Sequence, residues 1–511
     1  MVRAWPCIHS GRAAIMEGNI AVILPIVILM GGALVIYVLT RALRLSNKIE
    51  ALLAILVLAG ALAALLNLVQ PLNDLANIND LFYGSRQPGG ILFFPNIVGV
   101  YIGVIACFIC LFICAYSGEY LSRDPRFLLF YPMILLTIAG LLSMFFAADL
   151  FNLFLMAELT TITGSALIAF RFTKEEAVKA GFKYLVMSSL GTMTMMLGIY
   201  FIYRGTGRLY LTEIASMTND FTRIGAACFL VGFSIKAGVV PLHTWVPDVY
   251  HHAPSAVSGL FAGITSKSML FIMPMIALQL GMTAQELGLY LMVFASFNML
   301  VGVIRMLTQQ QLRRFLSYSS IAQTGYLMFT LGIGYYYQLP SAYAAGLYLL
   351  SIIAFMKCLA FLTAGNYEYR FGTGNINQLM GANRLVPLNA FAFSTALAGL
   401  SGIPLLAGFT GKWLIFTAAL TAGDAFAIAG LVIFLVCTVI GSIGYLPMLV
   451  KQYQRSRANL KSLEKNQLTV TSTLWIGVPV VVLTLIVIVT GVFPTPWINL
   501  IENVVSLVAA V

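Results

Sequence analysis

Long apolar runs free of charge recur along this chain from one end to the other. A membrane-crossing helix needs about 20 such residues. Fourteen stretches qualify, near 19–40, 49–68, 97–116, 127–147, 150–170, 182–203, 223–247, 255–279, 286–305, 315–334, 342–364, 387–421, 427–449 and 474–493. The seventh is interrupted at Gly238-Val-Val-Pro241 and the twelfth at Gly402-Ile-Pro404. The pattern predicts an all-α polytopic membrane protein of about 14 transmembrane helices, with helices 7 and 12 broken. The breaks lie five spans apart, so spans 4–8 and 9–13 read as two five-helix units. An odd number of helices per unit makes the two inverted relative to each other. The organisation expected is an N-terminal extension over 1–18, helices 1–3 over 19–126, the first unit over 127–279, the second over 286–449, and helix 14 with a tail over 474–511.

Composition agrees. The 511 residues are 60% hydrophobic and 9% charged, with a mean hydropathy of +0.93. A soluble domain carries about 25% charge, so an ordinary globular enzyme, a disordered chain and a collagen-like fibre are excluded. The net charge of +11 needs its location before its sign is interpreted. With the N-terminus placed outside, 19 of the 29 lysines and arginines fall in inside loops and 6 in outside loops. The positive-inside bias puts both termini outside, in the plasma membrane, and accounts for the basic balance without nucleic acid. No basic stripe with stacking aromatics is present. The first fifteen residues are polar and irregular; Met16 opens a more typical start, and no cleavable signal peptide is recognised.

The remaining four cations, Lys236, Lys267, Lys357 and Lys412, lie inside spans. At 1.5 Å per helical residue, Lys236 and Lys267 sit roughly 20 Å from their span edges, and Lys357 and Lys412 are similarly deep. A lysine at the bilayer centre costs about 2.5–3.5 kcal/mol on insertion scales. One carboxylate, Glu158, is also deep, whereas every other acid sits in a loop or at a span edge. A buried Glu beside buried lysines calls for an ion pair, which accounts for one lysine and leaves three. Lysine loses and regains a proton readily on burial, and a row of such groups inside a membrane reads as a proton relay. The breaks agree, because Gly and Pro interrupt a span where neighbours or water satisfy the freed backbone. Lys236 lies just before one break and Lys412 just after the other. Span 10 has no carboxylate to match Glu158 and offers only Ser317, Ser319 and Ser320.

Other chemistry is sparse. Cys107, Cys110 and Cys114 form CxxCxxxC within an apolar run that has no fourth ligand nearby, which favours packing on one helix face over an iron–sulfur cluster. His243, His251 and His252 flank the loop between spans 7 and 8 in no standard zinc spacing. His243 is a candidate relay toward Lys236 or Lys267, or a helix-end cap. No nucleotide loop, haem ligand pair or cluster motif is seen. No cofactor or metal is therefore expected in this chain, and any redox chemistry falls to partners.

Together Asp149-Leu-Phe-Asn-Leu-Phe-Leu-Met-Ala-Glu158, Lys236-Ala-Gly-Val-Val-Pro-Leu-His-Thr-Trp-Val-Pro-Asp248, Ala253-Pro-Ser-Ala-Val-Ser258, Lys267, Lys357-Cys-Leu-Ala-Phe-Leu-Thr-Ala-Gly365 and Gly408-Phe-Thr-Gly-Lys412 resemble the antiporter-like subunits shared by respiratory complex I, Mrp cation/proton antiporters and energy-converting membrane-bound hydrogenases. The resemblance implies that Glu158 pairs with Lys236, that Lys267 and Lys357 carry a central hydrophilic axis, and that Lys412 is the terminal site facing the outside exit. Lysine there is similar to the Mrp D-type subunit, and the early end after span 14 leaves no room for the lateral helix of the distal complex I subunit. Ile353 stands where the family often has histidine, shifting the axis toward water and hydroxyls such as Ser351. His252 stands where the loop usually has glutamate. The stretch Phe182-Lys-Tyr-Leu-Val-Met-Ser-Ser-Leu-Gly191 is more similar to the hydrogenase branch.

The function implied is a proton-translocating, or Na⁺/H⁺-exchanging, subunit of a multisubunit complex. Its partners would be other antiporter-like subunits, a soluble redox module of an oxidoreductase, and the lipid bilayer. The alternatives are a D-type subunit of a stand-alone Mrp antiporter, a self-contained secondary transporter, which would need a shaped substrate pocket, and a scaffold in which the lysines are relics.

Overall fold

Helices lie on all fourteen apolar stretches in the computed structural model, which describes residues 19–73, 81–84, 90–122, 124, 129–454, 463 and 474–510. The expected N-terminal extension with Met16 lies outside the described residues, as do Arg86, Arg123, Arg126 and the basic residues Arg455, Arg457, Lys461 and Lys465. Helices α1 (Ile20–Leu43), α2 (Asn47–Asn67) and the short α3 (Val69–Asn73) precede an antiparallel pair of two-residue strands, β1 (Tyr83–Gly84) and β2 (Leu92–Phe93). Then come α4 (Ile97–Tyr120), α5 (Phe130–Phe146), α6 (Leu150–Ile168), α7 (Glu175–Thr206), the one-turn α8 (Leu211–Ile214) and α9 (Asp220–Ala237). Among the described residues, ten helices are long and apolar enough to cross a membrane.

Capping chemistry fixes where several helices begin. Asp149 Oδ1 accepts from Asn152 N at 2.7 Å to open α6, and its Oδ2 accepts from Leu92 N at 3.2 Å, tying α6 to β2. Asn219 and Thr222 form a reciprocal box at the start of α9, satisfying donors a helix start leaves free.

The seventh stretch, expected over 223–247, ends its helix at Ala237, where Gly238 turns into the left-handed region at φ 72°. The chain loops to α10 (Val246–His252) and α11 (Ser255–Leu260). The eighth stretch, expected as one continuous run over 255–279, contains a π-helical turn at Phe261–Thr265 before α12 (Ser266–Gln279). Next are α13 (Ala284–Leu307), α14 (Leu312–Tyr336) and α15 (Pro340–Phe371). The twelfth stretch divides as expected into α16 (Pro387–Ser401) and α17 (Ala407–Ala422), followed by α18 (Ala425–Lys451) and α19 (Leu474–Val492). The tail forms a further helix, α20 (Thr495–Ala510), which packs on α15 and α4.

Burial sorts these helices into layers. The apolar windows of Ser255–Gln279 and of α15 are wholly buried, whereas those of α1, α2 and α18 are mostly open at the periphery. A helix apolar all round is either central or faces lipid. Here the two central helices carry Lys267 and Lys357.

Candidate functional site

The four lysines form a series in which each ammonium group is held by hydroxyl or carbonyl oxygens. Lys236 occupies the last turn of α9, at the negative end of that helix's dipole. Its Nζ donates to Ala157 O at 3.0 Å and Thr161 Oγ1 at 2.6 Å on α6, and to Ser188 Oγ at 2.9 Å on α7. Thr161 and Ser188 hydroxyls also bond each other at 2.9 Å. Trp245 Nε1 donates to Ile235 O at 2.9 Å, and Val240 N donates to Asn298 Oδ1 at 3.3 Å, so side chains cover backbone groups freed by the break.

The expected direct pair between Glu158 and Lys236 is not formed. No ion pair within 4.0 Å joins them among the described residues. Instead Glu158 accepts from the Thr192 hydroxyl, and Thr192 lies one helical turn beyond Ser188, which Lys236 holds. Three oxygens saturate the ammonium group, which satisfies its donors without the carboxylate. Glu158 is half-buried, while Lys236 is only 6% exposed.

Lys267 and Lys357 converge on α14 from α12 and α15. Lys267 donates to Ser320 Oγ. Lys357 donates to Ser319 Oγ at 2.5 Å and Leu316 O at 3.0 Å. The Ser319 hydroxyl in turn bonds Tyr445 of α18. Both lysines are buried, and adjacent serines couple their positions. The sequence marked Ser319 and Ser320 as the polar residues of span 10, without assigning them the two lysines. Ser351, expected to support the axis, faces elsewhere: it accepts from Tyr101 OH and Trp497 Nε1, each at 3.1 Å. Six residues separate it from Lys357, which turns it away around the helix.

Lys412 reaches back from α17 across the break, and its Nζ donates to Ser401 O at 2.6 Å. That carbonyl ends α16, where a helix leaves acceptors unsatisfied and presents partial negative charge. Ser442 Oγ donates to the same oxygen at 3.2 Å, and the Tyr326 ring lies 5.8 Å from Nζ. Gly402, at φ 87°, is required here: a Cβ would approach Lys412 Cδ to 2.8 Å.

His243 lies in the loop after the first break, half-buried, with Nδ1 unpartnered. No hydrogen bond joins it to Lys236 or Lys267 among the described residues, so the structure does not bring this candidate relay into the series. Beyond it lies a charged mouth the sequence reading did not assemble. Asp248 of α10 holds Lys183 of α7 at 2.5 Å and Arg314 of α14 at 3.4 Å. Arg313 holds Glu368 of α15 at 2.8 Å and donates to Ala253 O at 2.5 Å. His251 and His252 stack edge to face beside them, with ring centroids 4.6 Å apart. Burial pushes the His251 imidazole down to about 3, reinforced by Arg313, His252 and Arg314 and opposed by Asp248. Cys107, Cys110 and Cys114 are buried along α4, and no group of three or more His, Cys, Asp or Glu placed to hold a metal occurs among the described residues.

A multi-pass helical membrane protein with paired helix breaks and cations buried at them has the architecture of an antiporter-like membrane subunit. Residues 147–441 match the profile of the family described as NADH:quinone oxidoreductase/Mrp antiporter, TM, and the chain belongs to that family. It is 31% identical over 351 residues, 66% of this chain and 68% of the relative, to the NADH-quinone oxidoreductase subunit N of Desulforudis audaxviator. It is 28% identical over 340 residues, 65% of this chain and 68% of the relative, to the D-type Na(+)/H(+) antiporter protein of Alkalihalophilus pseudofirmus. In fold it is similar to a chain of the membrane-bound sulfane sulfur reductase, an archaeal respiratory membrane complex, with a TM-score of 0.81 and 22% identity over 96% of this chain and 97% of that one. It is also similar to a chain of the Mrp complex from Dietzia sp. DQ12-45-1b, with a TM-score of 0.80 and 21% identity over 96% and 97% of the two chains.

Proposed function

We propose that this chain carries protons, with Na⁺ as a possible counter-ion, as one membrane subunit of a multisubunit energy-converting complex. In this reading its neighbours are other antiporter-like subunits, and a soluble redox module of the membrane-bound hydrogenase kind, or of a related oxidoreductase, drives it. The lysine series carries the proposal: four ammonium groups are held only by neutral oxygens, which accept from a charged or a neutral amine alike once its remaining hydrogens are turned. Glu158 tunes the Lys236 end through Thr192 and Ser188, Lys267 and Lys357 form the axis across α14, and Lys412 is the terminal site. The fourteen stretches then act as fourteen spans, ten of them (4–8 and 9–13) in two inverted five-helix units, with both termini outside the plasma membrane. The names of the relatives support a place in a complex, since they include a subunit of a quinone oxidoreductase and one of an antiporter.

The test is to purify the complex through this chain, identify its soluble subunits, and measure pH- and Na⁺-gradient formation in inverted vesicles. A redox module should co-purify, and Lys357→Ala should abolish gradient formation in an assembled complex. Normal gradients with Lys357→Ala would remove the axis role. A second reading, the D-type subunit of a stand-alone Mrp antiporter, is favoured by the terminal Lys412 and by the D-type antiporter relative. Co-purification of antiporter subunits without any redox protein would select it.

A further inference from the structure

One buried ionisable group takes no part in the lysine series. Glu50, expected at a span edge, lies in the first turn of α2 and is 0% exposed, with neither carboxylate oxygen hydrogen-bonded. Its surroundings are polar but already committed. Tyr131 of α5 is near Glu50 and Cys114, yet its hydroxyl donates to Asn47 Oδ1 at 2.9 Å. The Asn47 amide donates in turn to Ser117 O at 3.1 Å and Gly118 O at 2.9 Å on α4. Lys48 turns to Glu119 at 3.1 Å, and Arg41 and Arg44 are exposed at the end of α1. What remains beside Glu50 is the Thr40 hydroxyl of α1, whose oxygen is itself unpartnered and buried. The Ser117 hydroxyl of α4 is unpartnered too.

An ionised carboxylate there, with no cation within 4.0 Å among the described residues and only the Thr40 hydroxyl placed to donate to it, has little to offset its desolvation. A carboxylic acid in the same place has an O–H to donate, and Thr40 Oγ1 is a free acceptor beside it. Thr40 can pair with either form, so the complete burial of Glu50 away from any cation is what favours the protonated acid. A metal cation fits less well, since hard cations take about six oxygen ligands and the Asn47, Ser117 and Gly118 carbonyl oxygens are already engaged.

We propose that Glu50 is a proton-binding site in the unit formed by α1, α2, α4 and α5, separate from the lysine series and reached from the end that carries Arg41, Arg44 and Lys48. It goes beyond the transport reading and stands whether or not the lysines conduct. The test is infrared difference spectroscopy of the purified, intact complex on exchange into deuterium oxide. The wild-type complex should show a carbonyl band of a protonated carboxylic acid that shifts on exchange and is missing in Glu50→Gln. Thr40→Val should move that band by removing its acceptor. If Glu50→Gln fails to assemble, Glu50→Asp keeps the acid and should displace the band. A spectrum identical in wild type and Glu50→Gln, a band unmoved by both Thr40→Val and Glu50→Asp, or a band seen only after Na⁺ is withdrawn would each overturn the proposal. The readout is the carboxyl group itself, so a complex that forms no gradient still answers it.

Discussion

Glu158 and Lys236 stand out together in a count of the charges inside spans, but what lies between them decides how they communicate. The path runs from Glu158 to the Thr192 hydroxyl, whose oxygen lies 3.5 Å from the Ser188 backbone carbonyl, and from the Ser188 hydroxyl to Lys236, along one face of α7. If that path couples them, Thr192→Val should weaken gradient formation about as much as Glu158→Gln, and the double variant should be no worse than either. Residues in one network are non-additive, with coupling of about 0.5–3 kcal/mol. Additive losses in initial rates of gradient formation would mean that Glu158 acts independently of the hydroxyls. A second residue gives a pH dependence. Unfolded histidine takes up its proton near about pH 6.5, whereas folded His251 is pushed down to about 3. Between those values the unfolded chain binds a proton that the folded loop does not, so stability falls as pH drops below about 6.5. Thermal unfolding against pH should show this acid limb, and His251→Gln should flatten it. All four deep lysines are legible in the sequence because a charge in an apolar run stands out. Their oxygen partners are not, since Ser319 meets Lys357 and Ser320 meets Lys267 only through the packing of α14 against α12 and α15. Glu50 is equally hidden, because closeness to a span edge says nothing of how tightly a neighbouring helix covers it.

At the scale of the element, the two broken helices are announced by Gly and Pro, and the structure adds why each break tolerates a buried cation. The last turn of α9 and the end of α16 both present the negative end of a helix dipole to a lysine. The π-turn at Phe261–Thr265, whose last residue lies two positions ahead of Lys267, leaves no mark in the sequence: it inserts a backbone adjustment without Pro, and its residues Phe261-Ala-Gly-Ile-Thr265 read as ordinary helix. The break at Gly402 depends on close approach between its two halves. A Cβ on Gly408 would come within 1.8 Å of the Gly399 carbonyl oxygen. That contact is backbone, so no side-chain rotation relieves it, and Gly408→Ala should destabilise the folded subunit by about 3 kcal/mol or force α16 and α17 apart. Gly31→Ala, whose Cβ meets nothing within 4 Å, should be neutral or stabilising by up to about 1 kcal/mol, because alanine favours a helix interior. Thermal stability of the two purified variants compares them directly. Equal stability would show that the halves of the break shift without resistance.

Across the whole molecule, the lysines run from α9 through the buried centre to α17, and the last of them lies nearest the surface. Lys412 is half-buried, beside a break whose Ile403, Leu405, Phe409 and Trp413 are exposed. A terminal group that hands on a proton must be able to release it. Lys412→Arg keeps the positive charge, but arginine stays protonated until above about pH 12. Its fixed guanidinium can still hold the Ser401 carbonyl that Lys412 holds at 2.6 Å, so folding should survive while release is lost. Lys412→Glu restores a titratable group of opposite charge, although it places an acceptor against that same carbonyl and gives up the favourable end of the α16 dipole. Arg should therefore abolish gradient formation, and Glu should retain part of it once protonated, when its O–H can donate to Ser401. The measurement is pH- and Na⁺-gradient formation in inverted vesicles at matched amounts of assembled complex. Full activity with Lys412→Arg would mean that a fixed charge suffices at this end of the series, and the release role would then move inward to Lys357, the next lysine whose ammonium group is held only by neutral oxygens.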